Sequence, residues 1–234
     1  MKISYVITLI AGIAAMQVAS AANIVGTVTL NGTPPPEKEI TPLKEDATCG
    51  KLAEGTPTTR FFVVGANKGL ADVVVMLKGI NGKSTGASAP PVTLDQKSCQ
   101  YVPSILALQT GQKLIVKNSD PVLHNVHTLS AAGNTDKNLA QMAGSPDLTF
   151  SFDKPENFLK FKCDVHGWMY AWITVADHPY FAVTDKDGKF TIKNVPAGKY
   201  TVVALHRKAS PTGVEKEVEV KDADATADFT LEVK

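Results

Sequence analysis

The chain reads as all-β on three observations. Ten short segments rich in β-branched and aromatic residues recur between Asn23 and Asp222. They are bounded by Gly, Pro, Asn or Asp in turns such as DKDGK at 185–189 and NVPAGK at 194–199. Only one stretch carries helical signals, so sandwiches are expected rather than a parallel sheet covered by helices.

The first residues precede that pattern. Lys2 is followed by an apolar run from Tyr5 to Met16 and by the small residues Ala19, Ser20 and Ala21. This predicts a secretory leader over residues 1–21, cleaved after Ala21. The run is too short and too weakly flanked for a membrane span, which needs about 20 apolar residues, and no later segment approaches that length. The mature protein is therefore expected to be exported and soluble, at the periplasm or the cell surface, without stable membrane insertion. Ala22 and Asn23 stand where a lipoprotein would need cysteine, so no lipid anchor is inferred.

The expected strands are NIVGTVTL (23–30), RFFVVG (60–65), ADVVVMLKG (71–79), QKLIVKN (112–118), LTFSFD (148–153), LKFKCD (159–164), YAWITVAD (170–177), GKFTIKNV (188–195), KYTVVALH (199–206) and EKEVEVKD (215–222). Pro, Gly and Ser gather in linker-like stretches at 31–46 and 79–95. The helical candidate is NTDKNLAQMAG (134–144), capped at Asn134 or Thr135, with Leu139 and Met142 facing inward and Gly144 closing it. No tandem repeat or heptad run is present.

Once Lys2 leaves with the leader, 23 basic residues face 23 acidic ones, which gives no bias toward nucleic acid or a membrane surface. An odd cysteine count in an exported chain asks which thiol is unpaired. Cys49 and Cys99 lie far along the chain from Cys163; pairing them closes a loop of about 50 residues, stabilises by about 4 kcal/mol at most in the loop-entropy model, and leaves Cys163 over. As a cross-link remote from any site, that pair is expected to affect folding and not spectra.

Cys163, His166 and Met169 form C-x2-H-x2-M in FKCDVHGWMY (161–170), between two expected strands. Thiolate, imidazole and thioether suit copper cycling between its cuprous and cupric states, and serve hard cations poorly. A second imidazole is required from a neighbouring strand, and IVKNSDPVLHNVH (115–127) supplies His124 at the end of one. The expected set is His124, Cys163, His166 and Met169, with a weak axial methionine, around one copper ion. Such a site serves electron transfer.

At these residues the chain resembles the cupredoxins, the blue copper fold of plastocyanin and amicyanin. The likeness rests on TGQKLIVKNSDPVLHNV (110–126) and on the C-x2-H-x2-M loop, the short form found in amicyanin, and covers residues 92–177. It implies a cupredoxin-like Greek-key β-sandwich in which His124 and His166 are imidazole ligands, Cys163 the thiolate and Met169 the axial ligand. Asn125 matches a position that braces the site by hydrogen bonding. Trp168 beside Met169 and a nearby second imidazole, His127, depart from the pattern.

A further likeness lies in TDKDGKFTI (184–192) and NVPAGKY (194–200), which resemble carboxypeptidase regulatory-like modules, small prealbumin-type β-sandwiches. The strands at 23–30 and 71–79 look like the opening strands of such a module. The expected organisation is a second small sandwich, discontinuous around the first: N-terminal strands over 22–89, the cupredoxin-like domain over 92–177, and C-terminal strands over 178–234. Two sandwiches in succession is the alternative.

The bland readings are a buried free thiol at Cys163, core filler at Met169 and a hydrogen-bonded loop residue at His166. The matching position of His124 favours the metal site over all three. His127 should face away from His124, His178 should serve a turn, and His206 belongs to another strand. A multicopper oxidase is excluded because Lys162 and Asp164, not histidines, flank Cys163; a dinuclear centre would need a second cysteine in the loop. The expected function is electron transfer, without catalysis, between a redox protein donor and acceptor. A copper carrier or storage protein, and a metal-free adhesion or carbohydrate-binding module, are the competing readings.

Overall fold

A computed structural model of the chain describes residues 21–233. The expected leader lies outside the described residues except for Ala21, which opens the first strand opposite Pro196. Among the described residues no helix is long and apolar enough to cross a membrane.

Strand β1 (Ala21–Asn31) begins the fold. A surface segment with two short helices, α1 (Thr41–Glu45) and α2 (Cys49–Leu52), leads to β2 (Val74–Lys78), β3 (Val92–Lys97), β4 (Gln100–Val102), β5 (Ile105–Gln109) and β6 (Leu114–Asn118). Next come β7 (His124–Leu129), β8 (Asn138–Gln141), β9 (Leu148–Phe150), β10 (Glu156–Lys162) and β11 (Tyr170–Ala176). The chain ends with β12 (Phe181–Val183), β13 (Lys189–Pro196), β14 (Gly198–His206), β15 (Ser210–Val220), β16 (Ala225–Thr226) and β17 (Phe229–Glu232).

These strands form four sheets. Two join the ends of the chain. In one, β1 lies beside β13 and is followed along its other edge by β16 and then β17, both parallel to it. In the other, the order is β12-β2-β14-β15, antiparallel throughout. Ile24, Val28 and Leu30 of β1 meet Val75 and Leu77 of β2 and Val202 and Ala204 of β14 in their shared core. Alternation along each strand puts these side chains on one face.

The other two sheets use only the middle of the chain, with orders β5-β11-β10-β7-β8 and β4-β3-β6-β9. Each contains one parallel pair, β5–β11 and β3–β6. Their core includes Leu94, Leu114, Val116, Phe150, Leu159, Phe161 and Ile173. It also takes in Leu43 and Cys49 from the helical segment, so that segment packs on the middle sandwich rather than on the strand that precedes it. A small cluster of Val74, Ile105, Val203 and Leu205 joins the two sandwiches.

The structure corrects the helix expected at 134–144. Residues Asn138–Gln141 are β8, antiparallel to β7 along its edge. An isolated helix this short is marginal, whereas a free sheet edge offers a ladder of backbone partners. Leu139 and Met142 consequently face solvent, at 38% and 59% exposure. RFFVVG is not a strand either, apart from an isolated bridge from Val64 to Leu70. The Phe62 amide donates to Glu37 Oε1 at 2.6 Å and Val63 accepts from the Ala71 amide, so neither needs a ladder. Conversely, β3 rises within a stretch that composition marks as a linker.

Both histidines of the outer sandwich are buried and hydrogen-bonded to backbone. His178 is buried, with Nε2 3.0 Å from the Leu77 carbonyl. His206 accepts at Nδ1 from the amides of Ala209, at 3.0 Å, and Lys208, at 3.4 Å. Burial, with the Arg207 charge beside it, pushes the His206 pKa down to about 4. The unfolded chain, with a histidine pKa of about 6.5, then binds the proton more readily than the folded chain. Stability is thus expected to fall as pH drops from about 6.5 to about 4, by up to about 3 kcal/mol from this residue. His206→Gln should flatten that slope, as read from urea midpoints at about pH 7 and about pH 4.

Candidate metal centre

The centre lies at one end of the middle sandwich, where two connections meet. The first is the β6–β7 turn. Asn118 Nδ2 donates to the carbonyls of Val122 and Gln141, both at 2.9 Å, and Asn118 Oδ1 accepts from the Asp120 amide at 3.1 Å. The chain thereby reverses and delivers His124 as the first residue of β7, not the last residue of the strand before it. His124, Val126 and Thr128 share the buried face, and His127 faces the other way.

The second connection follows β10. Leu159, Phe161 and Cys163 are all buried, so Cys163 continues the strand's inward alternation. The loop closes on itself: the Met169 amide donates to the His166 carbonyl at 2.9 Å, and the Cys163 amide to the Met169 carbonyl at 3.1 Å. Asn125 joins the two connections. Its Oδ1 accepts from the Asp164 amide at 2.6 Å and lies 3.3 Å from Cys163 Sγ. Tyr101, from β4, donates its hydroxyl to the Asn125 carbonyl at 2.8 Å.

This packing brings His124, Cys163 and His166 together, with one ligand atom of each within 4.8 Å of the others. His124 Nδ1 and His166 Nδ1 face each other at 3.0 Å, and Cys163 Sγ lies 3.7 Å from His166 Nδ1. An ion bonded to imidazole nitrogen at about 2.0 Å and to thiolate at about 2.3 Å needs roughly 3.3 Å between nitrogens and roughly 3.6 Å between sulfur and nitrogen at tetrahedral angles. The residues fit such a group. Met169 is buried in the same core and bound through its backbone to both Cys163 and His166. Exposure is 0% at His124, 2% at Cys163, 8% at His166 and 1% at Met169, so an ion here would be enclosed.

The electrostatics favour a thiolate. Burial opposes ionisation of Cys163, but the His124 imidazole and surrounding backbone donors bring its pKa below the ordinary thiol range. Burial likewise works against a proton on His124, yet hydrogen bonding to Asp120 and to Cys163 raises its pKa. His166 is lowered, first by burial and then by His124.

Three features lay outside the sequence reading. Asp120 Oδ2 is 2.9 Å from His124 Nε2 and holds the imidazole from behind. An acidic residue four positions before a candidate histidine ligand was the available signal. Asp46 approaches His166 from the helical segment. The Cys49–Cys99 disulfide is formed, but it is not remote: Cys99 lies within 4.8 Å of ligand atoms of Asp120 and His124, and Cys49 within 4.8 Å of Asp46 and His166. Among the described residues Cys163 is the free cysteine. His127 binds Asp164 Oδ2 at 2.8 Å near the surface, and Met142 is held outside the centre by β8.

Neither a protein-family model nor a curated protein matches this chain. Similar solved structures include a copper-containing nitrite reductase from Thermus scotoductus SA-01, at 19% identity and a TM-score of 0.34 over 38% of this chain and 23% of that one. An oxidized point mutant of amicyanin matches at 16% identity and a TM-score of 0.33, over 43% of this chain and 97% of that one. Pseudoazurin from Methylobacterium extorquens AM1 matches at 23% identity and 0.32, over 38% and 76%. This chain spans about a quarter of the nitrite reductase.

Proposed function

We propose that this is an exported type 1 copper protein that passes single electrons between a redox protein donor and acceptor, without catalysis. The observation that carries the proposal is the buried convergence of Cys163 Sγ, His124 Nδ1 and His166 Nδ1. Copper held by two imidazoles, a thiolate and a weak thioether supplies one-electron chemistry. The chain's part is to hold those donors still. Asn125 fixes the Cys163 loop, Asp120 fixes the His124 ring, and the surrounding core keeps water from the sulfur. Rigid donors reduce the rearrangement that accompanies each electron. Enclosure of all four residues favours a retained ion over one handed to an acceptor.

In this reading residues 92–177 are a cupredoxin-like domain, and the flanking strands form a regulatory-like sandwich that holds or presents it. The balanced charge gives little long-range steering, so partners would be recognised by a local patch.

Titration of the exported form with cupric ion should give one retained ion per chain and an intense visible band. No retained copper would transfer the case to the metal-free module. Met169→Gln should keep the colour and lower the reduction potential, as measured by redox titration, because a harder axial oxygen favours the cupric state. An unchanged potential would remove Met169 from the ligand set.

A further inference from the structure

We propose that the Cys49–Cys99 disulfide is a redox-sensitive brace of the metal centre: opened by a dithiol, it loosens both imidazoles and lowers the affinity for copper. This rests on the reading of His124, Cys163 and His166 as the copper site.

The brace acts on His124 through a short relay. Ser98 and Cys99 form the two-residue turn between β3 and β4, with φ of 53° and 52°. Turns of this left-handed kind favour Asn and Gly, so Ser-Cys holds it only while its surroundings impose it. The disulfide is one restraint; Asp120 is the other, accepting from the Ser98 amide at 2.7 Å and the Cys99 amide at 2.8 Å. The same carboxylate holds His124 Nε2 at 2.9 Å. Movement of the turn is therefore movement of the imidazole's support.

On the His166 side, the disulfide anchors the helical segment. Between Thr41 and Ala53 only Leu43 and Cys49 are buried. Asp46 Oδ1 accepts from the amides of Thr48, at 2.9 Å, and Cys49, at 2.7 Å, and this tightened turn stands against His166. Cys99 contributes once more, because its carbonyl accepts from Trp168 Nε1 at 3.0 Å, and the Trp168 ring lies 5.2 Å from that of His166. One covalent bond thus ties together the turn behind one imidazole and the segment beside the other.

Opening follows ordinary exchange. A thiolate of the dithiol attacks one sulfur to give a mixed disulfide, and its second thiol displaces the remaining cysteine. Two electrons and two protons pass to Cys49 and Cys99, and the dithiol leaves as a cyclic disulfide. Both sulfurs are buried, so attack requires the exposed 41–53 segment to lift.

The test compares untreated apo protein with apo protein reduced by dithiothreitol and desalted under nitrogen. Fold is followed by circular dichroism, and cuprous affinity by competition with bathocuproine disulfonate. The reduced protein should keep its fold and bind copper about 10–100-fold more weakly, the range typical for loss of groups that orient metal ligands. Asp120→Asn, with the disulfide intact, should lose about tenfold. Equal or tighter binding after reduction overturns the proposal, as does unfolding on reduction, which would make the bond a purely structural cross-link. Copper binding absent from the untreated protein would instead overturn the copper reading itself.

Discussion

Cys163→Ser is expected to abolish the intense visible absorption of the copper-loaded protein while leaving the fold intact. The colour requires a cupric–thiolate bond, and Cys163 is the only cysteine with a free sulfur among the described residues. Serine is nearly isosteric, and its hydroxyl could still accept from the His166 amide, 3.4 Å from Sγ in the native site, and donate to Asn125 Oδ1, 3.3 Å away. The buried position therefore stays satisfied, and little folding energy is lost. The donor is nonetheless changed in kind: a hydroxyl is hard and remains protonated near neutral pH, so soft cuprous ion loses its strongest partner. Affinity should fall sharply, above all for the reduced metal. A spectrum unchanged in this variant would place the metal at another site.

What is legible in the sequence follows the range of the interactions. The C-x2-H-x2-M loop is local: its seven residues lie between two strands, and the backbone bonds of Met169 to Cys163 and His166 close it tightly. The strands around it are legible for the same reason, since Leu159, Phe161 and Cys163 alternate inward along one segment. Contacts between distant segments carry no such trace. Cys99 and His124 are 25 positions apart, and the Asp120 carboxylate joins them only because β3 and β6 are neighbours in one sheet. The pairing of Cys49 with Cys99 could be reached by counting cysteines, but its place against both imidazoles could not. β8 shows the opposite failure, a local pattern overruled by an edge. Asn134 or Thr135 suits a helix cap, and Leu139 and Met142 an inward face, but the edge of β7 takes up the backbone of Asn138–Gln141, and the Gln141 side chain reaches inward to Gln96 at 2.7 Å.

Phe161→Ala should destabilise the apo protein by about 3–5 kcal/mol, the usual range for deleting a buried phenylalanine ring. Phe161 has no exposure and sits in the central part of its sheet, opposite Thr128 on one side and Ala171 on the other. The small Ala171 leaves room for the ring, which meets Phe150 and Phe152 edge-on at 5.7 and 6.0 Å. Phe150 belongs to β9 of the facing sheet, so this aromatic group holds the two sheets of the sandwich together. Truncation empties the middle of that contact. Against a total stability of about 5–15 kcal/mol, the urea midpoint should drop by about 1–3 M. Copper should restore part of the loss, because an ion bound only by the folded chain adds stability in proportion to the logarithm of its excess over Kd. Cys163 lies two residues beyond Phe161 and keeps its Asn125 support, as His124 keeps Asp120, so a weakened but still coloured protein is the expected result. A loss below about 1 kcal/mol would mean that the sheets are joined elsewhere.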